Sequence, residues 1–415
     1  MSKHAFIETE LGLLPDDWQI VPLEEVGSNY SYGVGAEAVP FDGKNKYLRI
    51  TDIDDQSHRF VPSPLVSPSF YSEDFVLKEN EIVVARTGAS VGKSYCYHPE
   101  DGRLIYAGFL MKFLVPRDDY RYIFYQLTTP RYQKWVTMNS VRSGQPGLNL
   151  VQLKEFLLPL PPTKEEQSRI ASALFDIDTL ICDLDRTIEK KQNIRQGAME
   201  QLLSGKKRLP GFKGEWIEMK VSEIGKLSGA GVDKKSNPDE VPVRLVNFLD
   251  VYHRSRIANS ELHHWVTATP EKVQSCNVKR GDIFFTPSSE MPDDIGQSAV
   301  AVEDMENVCY SYHIFRLRPF IELDPDYGAY AFQNKYFFDQ VKVESEGSGK
   351  RYVVSLNKFK ELYALLPPTV EEQQAIASTL TAMDDEIAML QLERTKYANI
   401  RSGMMDDLLS GTKRL

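Results

Sequence analysis

The chain has 415 residues, of which 42% are hydrophobic, 11% aromatic and 26% charged; such a composition excludes a disordered, collagen-like or disulfide-scaffold chain and leaves room for two or three globular domains. Lys+Arg 49 against Asp+Glu 59 gives a net charge of −10, so bulk attraction alone does not hold nucleic acid, although a local basic groove stays open. No apolar run reaches the roughly 18 residues of a membrane span, residues 1–12 are polar and acidic without a signal core, and the widely spaced Cys96, Cys182, Cys276 and Cys309 read as small apolar residues of a reducing cytoplasm.

Residues 1–160 read as a first α+β body. Leu14-Pro15 and Trp18 open it, and short stretches such as Tyr47–Ile53 (YLRITDI), the apolar run Ile82–Ala85 and the turn-rich SPLVSPSF fit a twisted mixed sheet. One aromatic helix is expected over Tyr122–Val136. The loop Thr87-Gly-Ala-Ser-Val-Gly92-Lys93-Ser94 approaches the G-x-x-x-x-G-K-[ST] pattern that cradles phosphate, but Gly88 stands one residue late and no later strand supplies a metal-binding aspartate. A glycine-rich loop presenting Arg86 and Lys93 to a nucleic-acid phosphate is the better expectation.

Residues 161–209 predict one long helix with its start and stop written out. Pro161-Pro162 end the preceding strand, and Thr163-x-x-Glu166 is a capping box in which the hydroxyl accepts an early backbone N–H and the glutamate reaches back. Ser204-Gly205 supplies a left-handed stop. Between them Ile170, Leu174, Ile177, Ile181, Leu184 and Ile188 recur at heptad spacing, the seam of a paired helix.

Residues 210–366 read as a second α+β body, with VPVRLVNF, IFFT, a turn-rich TPSSEMPDDIG and an aromatic helix over Tyr327–Val341. Residues 367–415 then repeat residues 161–209 at a constant offset of 206, without a gap and with roughly half the positions identical. The second copy has Pro367-Pro368, the box Thr369-x-x-Glu372, the seam Ile376, Leu380, Met383, Ile387 and Leu390, and Ser410-Gly411. An internal repeat of this kind sets the architecture. Weaker matches extend it: Trp18 with Trp216, Arg49 with Arg244, Glu81–Val84 with Asp282–Phe285, and Tyr122, Tyr125, Tyr132 and Val136 with Tyr327, Tyr330, Phe337 and Val341. One helix of roughly 60 Å, at 1.5 Å per residue, follows each body, so the two are expected to run antiparallel and give the chain pseudo-two-fold symmetry.

Catalytic patterns are missing. The seven histidines form no H-E-x-x-H or Cys/His metal spacing, and there is no G-x-S-x-G elbow, no [DN]-P-P-[YF] tetrapeptide and no glycine-rich cofactor fingerprint. What remains are basic and polar loop residues of the types that contact phosphates and base edges. In the first body these are Lys44, Lys46, Arg49, Arg59, Arg86, Ser90, Lys93, Arg142, Ser143, Gln145 and Asn149. In the second they are Lys234, Lys235, Arg244, His253, Arg254, Arg256, Ser288, Ser289, Gln297, Lys350 and Arg351. Any one of them alone reads as solvated surface; the repeat gives the group its weight.

The LPxxW opening (Leu14-Pro15, Trp18), Arg86-x-Gly88 after a strand, the PLPP…EEQ…IA…L segment at Leu160–Ala171 and the doubled LLSG…KRL closely resemble the specificity subunit of type I restriction–modification enzymes, over essentially the whole chain. The resemblance implies two target recognition domains (1–160 and 210–366) separated by two conserved helical regions (161–209 and 367–415) as an antiparallel coiled coil, and a non-catalytic, cytoplasmic subunit. It further implies a bipartite double-stranded DNA target read one half per domain, and assembly with two methyltransferase and two motor–nuclease subunits. S-adenosylmethionine, ATP and Mg are then expected on those partners, not on this chain. Exposed helix residues such as Gln167 and Asn193 are expected to hold the methyltransferase subunits. The second body lacks the Arg-x-Gly loop, which fits bodies that read different bases. A coiled-coil adaptor that never touches DNA and, less favoured, an NTPase using Thr87–Ser94 are the competing readings.

Overall fold

The computed structural model describes residues 5–141 and 145–415, without the Ser348 side chain. The chain forms two compact units, Met1–Asp185 with Leu392–Leu415, and Arg186–Gln391. The long helices, Lys164–Leu202 and Val370–Leu409, each contribute to both units. Among the described residues no helix is long and apolar enough to cross a membrane.

The first unit centres on a four-stranded antiparallel sheet in the order Ser28–Tyr32, Leu110–Leu114, Glu81–Ala85, Ser94–Cys96. Glu81–Ala85 is buried on both faces, which is why it reads as a continuous apolar run rather than an alternation. Lys46–Leu48 pairs in parallel with Leu104–Tyr106. The second unit repeats the frame with Gly225–Ser228, Phe315–Pro319, Ile283–Phe285 and Ser298–Ala301, and adds Arg256–Ile257 at the edge. Val241–Val246 pairs in parallel with Met305–Tyr310 and antiparallel with Trp265–Ala268.

These ladders correct one expected match. Leu48 pairs with Tyr106 and Val246 with Tyr310, so Arg49 corresponds to Asn247 and not to Arg244. Both donate a backbone N–H, at 2.8 Å, to an aspartate three residues on, Asp52 or Asp250. Each aromatic segment also forms two helices rather than one: Tyr120–Gln126 and Pro130–Asn139, then Pro325–Gly328 and Lys335–Glu344. Pro130 lacks the N–H to continue a helix but suits the first turn of a new one, where Thr129 caps it through Tyr132 N–H at 3.2 Å.

A two-stranded ribbon feeds each long helix: Gln19–Pro22 with Leu157–Leu160, and Ile217–Lys220 with Tyr363–Leu366. The hydroxyl half of each expected capping box is present, with Glu166 N–H on Thr163 Oγ1 at 3.2 Å and Glu372 N–H on Thr369 Oγ1 at 3.3 Å. The glutamates do not reach back. Glu166 takes both its oxygens to Arg414 (2.7 and 2.5 Å), which also holds Asp17, and Glu372 binds Arg208 in the same bidentate way. A carboxylate this buried is held more strongly by a guanidinium fork than by one backbone amide.

The same joint gathers the remaining marks of the repeat. Gly411 and Gly205 have φ of +70° and +66°. A Cβ on Gly411 would stand 2.6 Å from Pro15 and 3.0 Å from Trp18, and one on Gly205 3.1 Å from Trp216. Gln167, expected on the surface, is buried: its Oε1 accepts Asp119 N–H at 2.9 Å, as Gln373 Oε1 accepts Asp324 N–H. Asn193 is exposed.

Within each unit the two helix halves run antiparallel, shown by ion pairs whose numbers rise on one helix as they fall on the other. In the first unit Arg401 binds Asp178, Arg394 binds Asp185 at 3.0 Å, and Tyr125 donates to Asp178 at 2.9 Å. In the second, Arg195 binds Asp384, Lys191 pairs with Glu386 at 2.6 Å, and Tyr330 donates to Asp384 at 2.7 Å. Ile170, Leu174, Ile177, Leu184, Ile188, Ile376, Leu380 and Ile387 of the expected seam are buried, and Ile181, Met383 and Leu390 half-buried. Ile170 and Leu174 share the first unit's core with Met405 and Leu408, and Ile376 and Leu380 share the second's with Met199 and Leu202.

Candidate nucleic-acid interface

The expected cations separate by what they already hold. Lys46 Nζ donates to Asp101 O at 2.6 Å, and Arg49 grips Asp52 at both oxygens and reaches Pro64 O. Arg59 lies 3.4 Å from Glu100. Lys93 is largely buried, its ammonium on Ile53 O at 3.0 Å and paired with Asp55. The loop also departs from the NTPase geometry: Ser94–Cys96 after it is a strand and not a helix, and the amides of Gly88, Val91, Gly92 and Lys93 donate to backbone carbonyls, so these four do not hold a phosphate.

Arg86 differs. Its guanidinium carbon lies 4.5 Å from the Tyr32 ring centroid, Nε makes no hydrogen bond, and among the described residues no carboxylate pairs with it. The Tyr32 hydroxyl is fixed by Leu150 N–H at 3.2 Å, so the ring is a firm platform for a cation. The Arg86–Ser90 loop is pinned to its neighbour by Gly88 N–H on Pro146 O at 3.0 Å and by Leu148 N–H on Arg86 O at 2.8 Å. That brings Gln145, which is exposed, and half-exposed Ser90 and Asn149 into the same loop cluster. Arg142 and Ser143 lie outside the described residues.

In the second unit Ser288–Ser289 pairs with Tyr352 and Val353, and Arg351 donates to Ser288 Oγ at 3.2 Å. Burial pushes the His313 imidazole below its usual range, and neighbouring Lys234 and Arg351 push the same way. Lys234 and Arg351 thus act on His313 against the pull of Asp233, and Tyr312 lies tilted against the His313 ring at 3.9 Å between centroids; Lys235 and Lys350 are exposed beside Lys234 and Arg351 in sequence. Other expected residues are engaged elsewhere. Arg244 donates to Asn259 O over Trp265, Arg254 pairs with Asp250, Arg256 reaches Thr381, and Gln297 contacts Asp294 at 3.5 Å. His253 is exposed against the edge of Tyr252.

The aromatic neighbours Tyr32, Phe109, Tyr312 and His313 carry no signal in the sequence, because an exposed ring and a core ring look alike there. Among the described residues no group of three or more His, Cys, Asp or Glu could hold a metal ion.

A family model described as the type I restriction modification DNA specificity domain matches residues 15–194 and again 213–400. The chain is 26% identical to a putative type I restriction enzyme MjaX specificity subunit of Methanocaldococcus jannaschii, covering 100% of this chain and 97% of that one. It is 23% identical to the MjaVIII specificity subunit of the same organism, covering 97% and 94%. The fold resembles the crystal structure of the type I restriction–modification S subunit from M. genitalium, with TM-score 0.59 and 16% identity over 94% of this chain and 96% of that one. A chain from a structural study of type I complex assembly and conformational transition gives TM-score 0.53 at 15% identity, covering 96% and 99%. Two family matches, one over each copy of the same joint-and-sheet frame, place this chain in the type I restriction–modification DNA specificity family.

Proposed function

We propose that the chain is the non-catalytic, cytoplasmic subunit that names the DNA target of a type I restriction–modification complex. Bodies 1–160 and 210–366 are the target recognition domains, each reading one half of a bipartite double-stranded site. The helical regions 161–209 and 367–415 set the gap and dock two methyltransferase subunits. Two motor–nuclease subunits join for restriction, and S-adenosylmethionine, ATP and Mg belong to the partners.

One observation carries this reading: the two units keep the same buried glutamate–arginine latch at the helix joint while their cation-bearing loops differ. Where the first unit sets Arg86 on Tyr32, the second has Pro287 at the matching position and carries Arg351 on Ser288 instead. A common frame with unlike polar loops suits a reader of an asymmetric sequence, because phosphate contacts position and base-edge contacts specify. Partners that close around DNA can supply cation, so a net charge of −10 is no obstacle.

Gel shifts of the assembled complex on its methylated target and on a scrambled duplex, over a salt series, test it. A reader binds the target more tightly and loses affinity steeply with salt; equal, salt-insensitive binding would leave only an adaptor. For the gap, four residues inserted near Glu189 add about one helical turn and are expected to change the spacer and keep both half-sites.

A further inference from the structure

We propose that Phe109 is an apolar base reader, lying against the 5-methyl edge of a thymine next to the base pair that Arg86 contacts. The proposal rests on the DNA-reading function above.

Phe109 is 65% exposed on the turn between Leu104–Tyr106 and Leu110–Leu114. A single exposed ring needs no explanation by itself; this one is distinguished by how it is held and by what stands beside it. Gly108 N–H donates to Val34 O at 2.7 Å, Leu110 N–H to Ala107 O at 2.9 Å, and Phe109 O accepts Arg86 N–H at 2.9 Å. The turn is therefore tied on both sides, and the ring is presented from a fixed backbone hydrogen-bonded to Arg86, with which no carboxylate among the described residues pairs.

The second unit builds the turn in the same way, with Tyr312 N–H on Val232 O and Ile314 N–H on Ser311 O, both at 3.2 Å. It presents Tyr312 and His313 instead. The frame is kept and the exposed chemistry is changed, as a specificity-determining element requires.

The chemistry follows from the major groove. An arginine there reads guanine through O6 and N7, and the apolar feature of the base edges is the thymine methyl, which phenylalanine can cover. A ring beside Arg86 meets the adjacent base pair. Insertion between bases is instead a minor-groove habit that unstacks the duplex.

The test uses the complete complex with its methyltransferase subunits and a duplex carrying the target mapped in the host methylome. Each thymine of the half-site is replaced in turn by uracil, which removes only the methyl group. Wild-type binding is expected to fall about fourfold at one position, the worth of one buried methyl. Phe109→Ala is expected to bind thymine DNA about fourfold more weakly and to be indifferent to uracil at that position, with melting temperature and complex assembly unchanged. Phe109→Leu is expected to retain part of the thymine preference. If Phe109→Ala keeps every uracil sensitivity of the wild type, or weakens binding independently of all of them, or if the wild type is indifferent to uracil at every position, the proposal is overturned. A wild-type complex that fails to prefer target over scrambled duplex sinks the underlying function, a readout separate from the uracil scan.

Discussion

The two units differ least where body meets helix and most at the loop ends of the sheets. Glu166 with Arg414 and Glu372 with Arg208, Trp18 over Gly411 and Trp216 over Gly205, and Tyr125 on Asp178 and Tyr330 on Asp384 are the same contacts made twice. At the loops the backbone bonds persist, as Leu148 N–H on Arg86 O and Val354 N–H on Pro287 O show, but the side chains change: a Pro-Ser-Ser-Glu segment replaces the Arg86–Ser90 loop, and the second sheet gains an edge strand. A buried joint tolerates little change, because each partner left alone is a desolvated charge or a void. A solvent-facing loop is free to vary, and a recognition surface has to.

The largest effect is expected at the joint. Arg208→Ala and Arg414→Ala each strand a glutamate side chain only 1% or 4% exposed, at a cost of about 3–5 kcal/mol, read as a lowered midpoint in urea. Adding Glu372→Gln or Glu166→Gln removes the stranded charge and should restore much of the loss. An unchanged midpoint in the single variants would mean the latches are surface pairs.

Next comes the contrast inside one loop. Arg86→Ala is expected to cost about 1–3 kcal/mol of discrimination at one base pair with no change in melting temperature. Lys93→Ala, which frees Ile53 O and Asp55, should lower the melting temperature and leave the methylated motif intact. The opposite pattern would exchange the roles assigned to the two cations.

The units can also be told apart at their glycine stops. Either Gly→Ala change forces a left-handed residue, about 1–2 kcal/mol. Gly411→Ala should cost more than Gly205→Ala, because its Cβ meets Pro15 at 2.6 Å while the other meets Trp216 at 3.1 Å. Thermal unfolding of the two variants gives the order directly.

The smallest effect concerns acid. Burial lowers the pKa of His58 and His98 in the first unit, so the unfolded chain binds protons there first. The resulting stability is complete above the usual histidine value of about 6.5 and is lost as pH falls through it toward the lowered folded value. Melting curves between pH 7.5 and 5.5 should show this decline, shallower in His58→Gln; a decline of equal slope in the variant removes His58 from the account.

The joint was legible in sequence because its parts are dense, spaced and repeated. Thr163, Glu166, Gly205 and the seam announce a helix, and an offset of 206 without a gap announces its twin. Their destinations were not legible: a glutamate three residues after a threonine looks like a capping box whether it turns back or reaches an arginine about 250 positions away. The proposed recognition surface was less legible still. Arg86 and Lys93 sit in one loop with the same charge, and only the fold decides that one lies on Tyr32 and the other is tethered to Ile53 and Asp55. Matching Arg49 to Arg244 failed for a related reason, since strand register depends on partners and not on residue identity.

The central claim is that each body names its own half of the target. Residues 210–366 would be replaced by the corresponding body of a specificity-family relative, and the methylated adenines of the host mapped by long-read sequencing. The account predicts a motif in which one half changes while the other half and the gap between them stay as they were; a motif altered in both halves, or in neither, would contradict it.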